Sequence, residues 1–287
     1  MIRVSVIVPF YNSERYIKGC IEGLLQQSYP REQYEILMID NNSTDTSAET
    51  VRQYPGIQLL HETMQGSYAA RNRGLREAKG EVMAFIDADC VPFHDWLHEI
   101  MLAMEKPDLS IVLGRRTFAG DSILLSLFAA YEDEKHKYVF NSDKQEIYYG
   151  HTNNMAVKKK LFDELGPFVE RLRGSDTIFV RHTVNTYSCE VVRYCPRIQV
   201  RHLEIENLRQ RFQKFSIYGR TNIGTRHVVC QKTLTAKEKF HVFRNVVRNQ
   251  EYSWKESLVL MGVLGMGVVY WVLGKIKLSG RERDSVE

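Results

Sequence analysis

The segment at residues 81–92, EVMAFIDADCVP, most constrains what this chain can fold into. Its apolar run, residues 82–86, is typical of a buried strand of a parallel sheet, and Pro92 opposes further extension. Asp87 and Asp89 follow this run, and residues two apart in an extended chain point to the same side. The segment therefore predicts two carboxylates at the carboxyl end of a strand, where open α/β sheets bind ligands.

Two neighbouring carboxylates repel each other, so such a pair needs a cation or a strong hydrogen-bond donor beside it. Mg²⁺ and Mn²⁺ prefer oxygen ligands and commonly bridge protein carboxylates and substrate phosphates. The Asp-Ala-Asp sequence therefore indicates a divalent-metal site, and the alternative is a turn that is merely rich in aspartate. Motifs elsewhere in the sequence are needed to distinguish a metal site from an aspartate-rich turn.

Short apolar segments alternate with amphipathic ones through the first 115 residues. Strands are predicted at residues 4–8, 34–39, 57–61, 82–86 and 109–113, with helices between them, as at 68–78 and 95–104. This alternation favours a mainly parallel sheet with helices on both faces. Later the pattern is less regular, with helices predicted at 122–138 and 208–217, a strand running into a helix at 155–165, and short strands at 191–194 and 199–202.

Composition restricts the partners and the compartment. The net charge of +4 by itself implies no nucleic-acid partner, but residues 193–255 hold 14 Lys and Arg against 4 Asp and Glu. Such a basic stretch favours phosphates or anionic lipid, or is simply a solvated face. The number of cysteines, five, is odd, and the sequence contains no Cys-x-x-Cys pair. This favours reduced thiols in a cytosolic compartment over a disulfide framework or a zinc site.

Four motifs in register carry a family resemblance. They are VSVIVPFYN at 4–12, ILMIDNNSTD at 36–45, AARNRGL at 69–75 and GEVMAFIDAD at 80–89. Together they resemble the family 2 glycosyltransferases with the GT-A fold, an α/β architecture with a Rossmann-like, mainly parallel sheet flanked by helices. The resemblance implies inverting transfer of a sugar from a nucleotide-sugar, with a UDP-sugar favoured, and dependence on Mg²⁺ or Mn²⁺.

The same resemblance implies a nucleotide site formed by Pro9, Tyr11, Glu14, Asp40, Arg71 and Asp87. Asp40 ends the second strand, where a carboxylate can accept hydrogen bonds from a nucleobase; its alternative role is to cap a helix before Ser43. Tyr11 could stack on the base or be an ordinary buried tyrosine. Arg71 suits base carbonyls or phosphate, and the alternative is a surface arginine.

Three more residues complete the implied active site. Asp89 resembles the direct metal ligand, and His202 resembles a late histidine that completes the metal or diphosphate site. Asp176, in Gly-Ser-Asp, resembles the family's catalytic base, although Ser175 stands where an acid is usual. A helix cap followed by a first-turn aspartate would give the same sequence, and a histidine after a strand is often structural.

Other polar residues have weaker patterns. His94 and His98 lie one helical turn apart, but exposed helix histidines explain them better than a metal site does. His151, Asn153 and Asn154 resemble a polar stretch before the acceptor side, and their roles stay open.

The C-terminal part contains 18 consecutive residues without a charge, at 257–274, with Tyr270 and Trp271 near one end. This is the short limit for a membrane span, and a buried or re-entrant hairpin is the alternative. We therefore expect a catalytic domain at 1–225, with a nucleotide-binding half at 1–115 and an acceptor-binding half at 116–225. A helical, membrane-associated extension at 226–287 would hold it at the cytoplasmic face of the membrane.

The functional hypothesis is sugar transfer to a saccharide or lipid-linked acceptor in cell-surface polysaccharide or glycolipid synthesis. Two alternatives stay open. A nucleotidyltransferase also uses a sheet, a nucleotide and Mg²⁺, but residues 8–11 offer no glycine for a phosphate loop. A catalytically silent, membrane-anchored nucleotide-binding subunit is the other, and the aspartates at 87, 89 and 176 argue against it.

Overall fold

The computed structural model describes residues 1–171, 173–221 and 233–283, with side chains given except at 218–221 and 277–283. The chain divides into two compact units. Unit 1 comprises Met1–Thr117 and Phe140–Leu203, and unit 2 comprises Phe118–Val139 and the chain from Glu204 on. The domain boundary expected at residue 225 lies outside the described residues.

One sheet of eight strands organises unit 1. In chain order the strands are β1 (Val4–Phe10), β2 (Tyr34–Asp40), β3 (Gln58–His61), β4 (Val82–Ile86), β5 (Cys90–Pro92), β6 (Ile111–Phe118), β7 (Asn154–Lys158) and β8 (Val192–His202). Their order across the sheet is β3-β2-β1-β4-β7-β6-β8-β5. β3, β2, β1 and β4 pair in parallel, and β7 continues the sheet antiparallel to both β4 and β6.

Ten α-helices occur in the described part of the chain. They are α1 (Ile17–Leu25), α2 (Ser47–Arg52), α3 (Ser67–Glu77), α4 (Trp96–Met104), α5 (Ile123–Phe140), α6 (Lys159–Leu165), α7 (Ser175–Thr186), α8 (Leu208–Thr221), α9 (Ala236–Asn249) and α10 (Trp254–Arg283). The strand predicted at 82–86 has the observed bounds. The two short strands predicted at 191–194 and 199–202 are one strand, β8.

The register of the parallel strands brings their carboxyl ends to one edge. Phe10 lies opposite Asp40 in the β1–β2 pair, and Ile7 lies opposite Phe85 in the β1–β4 pair. Asp87 directly follows β4, so it stands near the level of the end of β1. All residues of β1 and β4 are buried, which is why β4 is an uninterrupted apolar run and β1 is apolar except for Ser5.

Asn154 ties the antiparallel half of the sheet to α4. Its Oδ1 accepts a hydrogen bond of 2.8 Å from the fully buried Trp96 indole, and its Nδ2 donates to the carbonyls of Arg115 and Ile198 at 2.8 and 2.9 Å. Buried polar groups need such partners because leaving them unpaired costs about 1–3 kcal/mol. The structure thus gives Asn154 a structural role.

In unit 2, α8 packs against α10. The rings of Phe212 and Tyr270 stack with centroids 5.2 Å apart, and Gly274 lies so close to α8 that a Cβ there would stand 2.2 Å from the Ser216 carbonyl oxygen. Within the described residues one helix is long and apolar enough to cross a membrane, Trp254–Ile276, by length and composition. Only 17% of its most apolar 18-residue window is buried in the protein.

Candidate active site

Asp40 lies at the edge where β1, β2 and β4 end. Its Oδ1 accepts a hydrogen bond of 2.9 Å from the Ser43 backbone N–H, and its Oδ2 lies 3.4 Å from Nδ1 of His61. This bond is not a helix cap, because α2 begins only at Ser47 and Thr46 is the residue at its N-terminal cap, so the helix-capping alternative for Asp40 is wrong. The bond from Ser43 occupies Oδ1, while Oδ2 faces the more exposed imidazole of His61.

The loop after β1 carries the other residues of the expected base-binding region. Pro9 is buried within β1 opposite Ile39, whereas the side chain of Tyr11 is 51% exposed. Glu14 accepts a hydrogen bond of 3.0 Å from the hydroxyl of Thr46, just before α2. The loop is thus fastened to the segment after β2, and Tyr11 is an accessible aromatic surface rather than a buried core residue.

Arg71 is buried on α3, so it is not the surface arginine of the alternative interpretation. Its Nη2 donates a hydrogen bond of 2.5 Å to Oδ1 of Asp87, and its guanidinium lies 5.2 Å from the ring centroid of Tyr68. An arginine at this position neutralises the first carboxylate of Asp-Ala-Asp. The cation or donor that such a pair of carboxylates requires is thus partly supplied by the protein itself.

Asp176 is the second residue of α7; the residue as a whole is partly exposed, while its carboxylate is enclosed by hydrogen-bond partners. The carboxylate accepts backbone hydrogen bonds from Thr177 at 2.8 Å and from Thr152 at 3.3 Å. The residue before the helix, Gly174, has φ of 83°, a conformation that suits glycine. This turn delivers Asp176 to the loop that precedes β7.

The environment of Asp176 favours a proton acceptor. Burial raises the pKa of Asp176 above its ordinary value, and a hydrogen bond from the Tyr68 side chain, the Thr177 backbone bond and the charge of Arg71 oppose that rise. A carboxylate with a raised pKa is a stronger base than an exposed aspartate. The structure therefore brings Asp176, Tyr68, Arg71 and Asp87 into one connected cluster.

A second group of donor atoms lies beside that cluster. Oδ2 of Asp89 is 3.6 Å from Nε2 of His202, and Oδ1 of Asp89 is 3.5 Å from Sγ of Cys90. The pairing of β5 with β8 places Cys90 opposite His202. A carboxylate and an imidazole at this distance fit a divalent cation, so Asp89 and His202 could hold the metal that the resemblance implies.

The remaining histidines differ in environment. His94 and His98 are both exposed, and Nδ1 of His94 lies 2.6 Å from the Gln26 carbonyl oxygen, in agreement with a surface role. His151 is buried, with Nε2 3.3 Å from the Gly114 carbonyl oxygen.

Two residues of the site, Tyr68 and Cys90, were not expected from the sequence. Tyr68 precedes Arg71 by three residues on α3, and this spacing places both on one helix face, so a signal for Tyr68 existed. Cys90 follows Asp89 directly, and only the pairing of β5 with β8 brings it to His202. No local pattern could have indicated that contact.

Residues 5–166, more than half of the chain, match the family model described as glycosyl transferase family 2. The chain therefore belongs to glycosyltransferase family 2, and the family inferred from the four motifs is confirmed.

Relatives of known sequence agree with this assignment. The chain is 31% identical over 176 residues to glycosyltransferase AglE of Haloferax volcanii, covering 59% of this chain and 57% of that protein. It is 37% identical over 93 residues to the poly(ribitol-phosphate) beta-glucosyltransferase of Bacillus spizizenii, covering 30% of this chain and 15% of that protein. The chain thus spans 57% of the length of AglE and 15% of the length of the poly(ribitol-phosphate) beta-glucosyltransferase.

Solved structures confirm the expected GT-A fold. TarS of S. aureus in complex with UDP-GlcNAc superimposes with a TM-score of 0.58 at 18% identity, over 94% of this chain and 81% of that one. The mannosyltransferase PcManGT of Pyrobaculum calidifontis, in complex with GDP-Man and Mn²⁺, gives 0.57 at 20% identity, over 96% and 86%. At such identities the likeness concerns the fold alone.

Proposed function

We propose that this protein transfers a sugar from a nucleotide-diphosphate sugar to an acceptor hydroxyl, with inversion at the anomeric carbon. The observation that carries the proposal is the cluster around Arg71. This buried arginine donates a hydrogen bond to Asp87, and its positive charge also lowers the pKa of Asp176, which burial raises. The residues that resemble the donor site and the catalytic base therefore belong to one electrostatic unit.

The donor would lie along the edge formed by β1, β2 and β4. Asp40 would accept a hydrogen bond from the base, the exposed Tyr11 would stack on it, and Arg71 with Asp87 would bind toward the ribose and diphosphate. Pro9 and Glu14 shape the first loop. We favour a UDP-sugar because of the resemblance around Asp40, although related folds hold either UDP-GlcNAc or GDP-Man.

Asp176 would accept the proton of the acceptor hydroxyl. The backbone N–H groups of Thr152 and Thr177 and the Tyr68 hydroxyl hold its carboxylate in one orientation. The activated oxygen then attacks the anomeric carbon from the side opposite to the leaving diphosphate, and this single displacement inverts the configuration. A positioned general base of this kind contributes about 10²–10⁴-fold in rate.

Asp89 and His202 are the residues that would hold Mg²⁺ or Mn²⁺. A bound divalent cation supplies positive charge that stabilises the departing nucleoside diphosphate. The presence of Mn²⁺ in the PcManGT complex supports a divalent metal without identifying which one this chain uses.

We further propose that residues 1–225 form the catalytic domain and that residues 226–287 attach it to the cytoplasmic face of a membrane. The apolar length of Trp254–Ile276 and the basic residues that precede it support this attachment. The acceptor would be a saccharide or a lipid-linked saccharide. Matched relatives include a poly(ribitol-phosphate) transferase and a dolichyl phosphate-linked sugar transferase, which supports polysaccharide or glycolipid synthesis.

A donor screen tests the proposal. The detergent-solubilised full chain should release nucleoside diphosphate from one UDP-sugar in the presence of Mg²⁺ or Mn²⁺, and chelation should stop release reversibly. Asp176→Asn should still bind the nucleotide but release about 10²-fold less of it in the presence of acceptor. Binding of nucleotide without release from any UDP-, GDP- or dTDP-sugar would identify a silent binding subunit instead.

A further inference from the structure

Cys90 is a buried residue whose sulfur could bind a metal ion, and it has no role in the proposed sugar-transfer mechanism. It is fully buried, whereas Asp89 is partly exposed. The thiol lies 3.5 Å from Asp89 Oδ1, and one ligand atom from each of Asp89, Cys90 and His202 lies within 4.8 Å of the others. The three residues therefore surround a point that could hold one ion.

The backbone fixes this arrangement. Cys90 and His202 are directly opposed in the antiparallel β5–β8 pair, and the Leu203 N–H donates a hydrogen bond of 2.8 Å to the Asp89 carbonyl oxygen. The donors therefore sit on a strand pair and its adjoining turn. Sites on such elements hold their ligands with more precision than sites on loops.

The distances match a small coordination sphere. Zinc–ligand bonds of about 2.0–2.3 Å in a tetrahedral arrangement place neighbouring donors about 3.3–3.8 Å apart. The Asp89 carboxylate approaches its two neighbours through different oxygens, with Oδ1 3.5 Å from Cys90 Sγ and Oδ2 3.6 Å from His202 Nε2, and each separation falls in this range. Sulfur ligands select thiophilic ions, whereas carboxylate and water ligands suit Mg²⁺ and Mn²⁺.

We propose that Asp89, Cys90 and His202 form a three-donor centre that binds thiophilic divalent cations such as Zn²⁺ and Co²⁺ through the Cys90 sulfur. On binding, the S–H bond breaks, the proton passes to solvent and a sulfur–metal bond forms. The inference rests on the proposed function in that it uses the same cation site, and it adds a third ligand and a metal class. Zn²⁺ then competes with Mg²⁺ for Asp89.

The test uses Co²⁺ as a spectroscopic probe on the full chain, kept reduced by a phosphine. Wild type should develop the near-ultraviolet absorption band of a thiolate–cobalt bond, and Cys90→Ser should not. Cys195→Ser is the matched control, because Cys195 is a partly buried cysteine outside this donor cluster, and it should keep the band. Zn²⁺ affinity, measured with a competing chromophoric chelator, should fall at least about tenfold in Cys90→Ser, with Mg²⁺ affinity unchanged.

A band that persists in Cys90→Ser, or no band in wild type, would overturn the inference. If the serine variant does not fold, Asp89→Asn and His202→Gln provide the second test, since each should weaken the cobalt band. If wild type turns over with Mg²⁺ but shows no thiolate–cobalt band, the proposal that Cys90 is a ligand is refuted and the proposed function is not. A band in a protein that releases no nucleotide from any sugar donor would refute the proposed function alone.

Discussion

At the scale of single residues, Asp40 and Asp176 separate binding from chemistry. Asp40 lies at the end of β2 beside His61, whereas Asp176 begins α7 beside Thr152. Asp40→Ala should weaken UDP binding by about 10–100-fold, because one hydrogen bond to a charged group contributes about 1.5–3 kcal/mol. Asp176→Asn should bind UDP within about twofold of wild type while losing transfer. Calorimetry with UDP on both variants measures this difference, and loss of UDP binding in Asp176→Asn would show that the base is misplaced.

The pH dependence of transfer should report the environment of Asp176. A general base must be deprotonated, so kcat/KM should fall on the acid side as pH drops below the pKa of Asp176. Burial raises this pKa, and the Tyr68 hydrogen bond lowers it. Tyr68→Phe removes the lowering contact and should therefore move the acid limb to higher pH. The measurement is kcat/KM against pH in both proteins.

His61→Gln is a control for that comparison, because His61 contacts Asp40 rather than Asp176. Its acid limb should coincide with that of wild type. An unshifted limb in Tyr68→Phe would mean that Tyr68 does not influence the base.

The sequence predicts the site residues unevenly. Asp40, Asp87 and Asp89 are readable because each follows an apolar run that becomes a strand, and strand ends share an edge. The side chains that contact the site aspartates cannot be predicted from strand ends. Arg71 reaches Asp87 from a separate helix and Asp176 reaches Tyr68 across more than 100 residues, so these contacts depend on the packing of the finished fold.

At the scale of secondary-structure elements, Gly150 lies directly against the first turn of α7. A Cβ at this position would stand 2.6 Å from the backbone carbonyl carbon and oxygen of Asp176, which is too close for any real contact. Gly150→Ala should therefore displace the start of α7 and with it the proposed base. A shift of about 1 Å at a reacting group lowers rate on the order of 10²-fold. We expect transfer to fall about that much while UDP affinity stays within about threefold.

Gly19→Ala is the matched control, since a Cβ there would meet its neighbours only at 3.5 and 3.6 Å. This variant lies in α1 and should keep wild-type transfer and at least wild-type thermal stability, because alanine favours a helix more than glycine does. Equal rates in Gly150→Ala and wild type would show that the loop yields without moving Asp176.

The elements themselves follow the sequence most closely where local pattern and burial agree. The βα alternation up to residue 115 predicts the parallel strands, because a fully buried strand needs an uninterrupted apolar run. The antiparallel half is harder to predict, since β7 pairs with β4 and β6 from distant parts of the chain. Pro196 interrupts the pattern of β8, which therefore reads as two strands although the extended backbone is continuous.

One face of α9 suits a lipid surface. Phe240 is 65% exposed, and Lys237, Lys239 and Arg244 on the same helix are exposed as well. Trp254 at the start of α10 is 70% exposed. Phe240→Glu should lower binding of the full chain to anionic vesicles relative to Phe240→Leu, because it removes apolar area and adds repulsion. Vesicle flotation measures the effect, and equal flotation of the two variants would exclude α9 from the membrane surface.

At the scale of the whole molecule, the units do not follow the order of the chain. Residues 118–139 cluster with the segment from Glu204 on, while residues 140–203 cluster with the N-terminal part. The sequence contains no linker at these crossings, so composition alone could not reveal them. Within unit 2, α8 covers one side of α10 through Phe212 and Gly274. Removing α10 would expose Phe212 and the side of α8 around it, so membrane attachment is best tested on the intact chain.

The intact chain should remain with membranes after a wash in about 1 M salt. At that ionic strength the Debye length is about 3 Å, so the attraction of basic residues to anionic lipid is largely screened. Burial of the apolar residues of Trp254–Ile276 is not screened, and this helix has most of its surface uncovered by protein. Detergent should release the protein and salt should not, as measured by sedimentation and immunoblotting of both fractions. Release by salt alone would mean that α10 does not insert and that the basic residues before it hold the protein at the membrane.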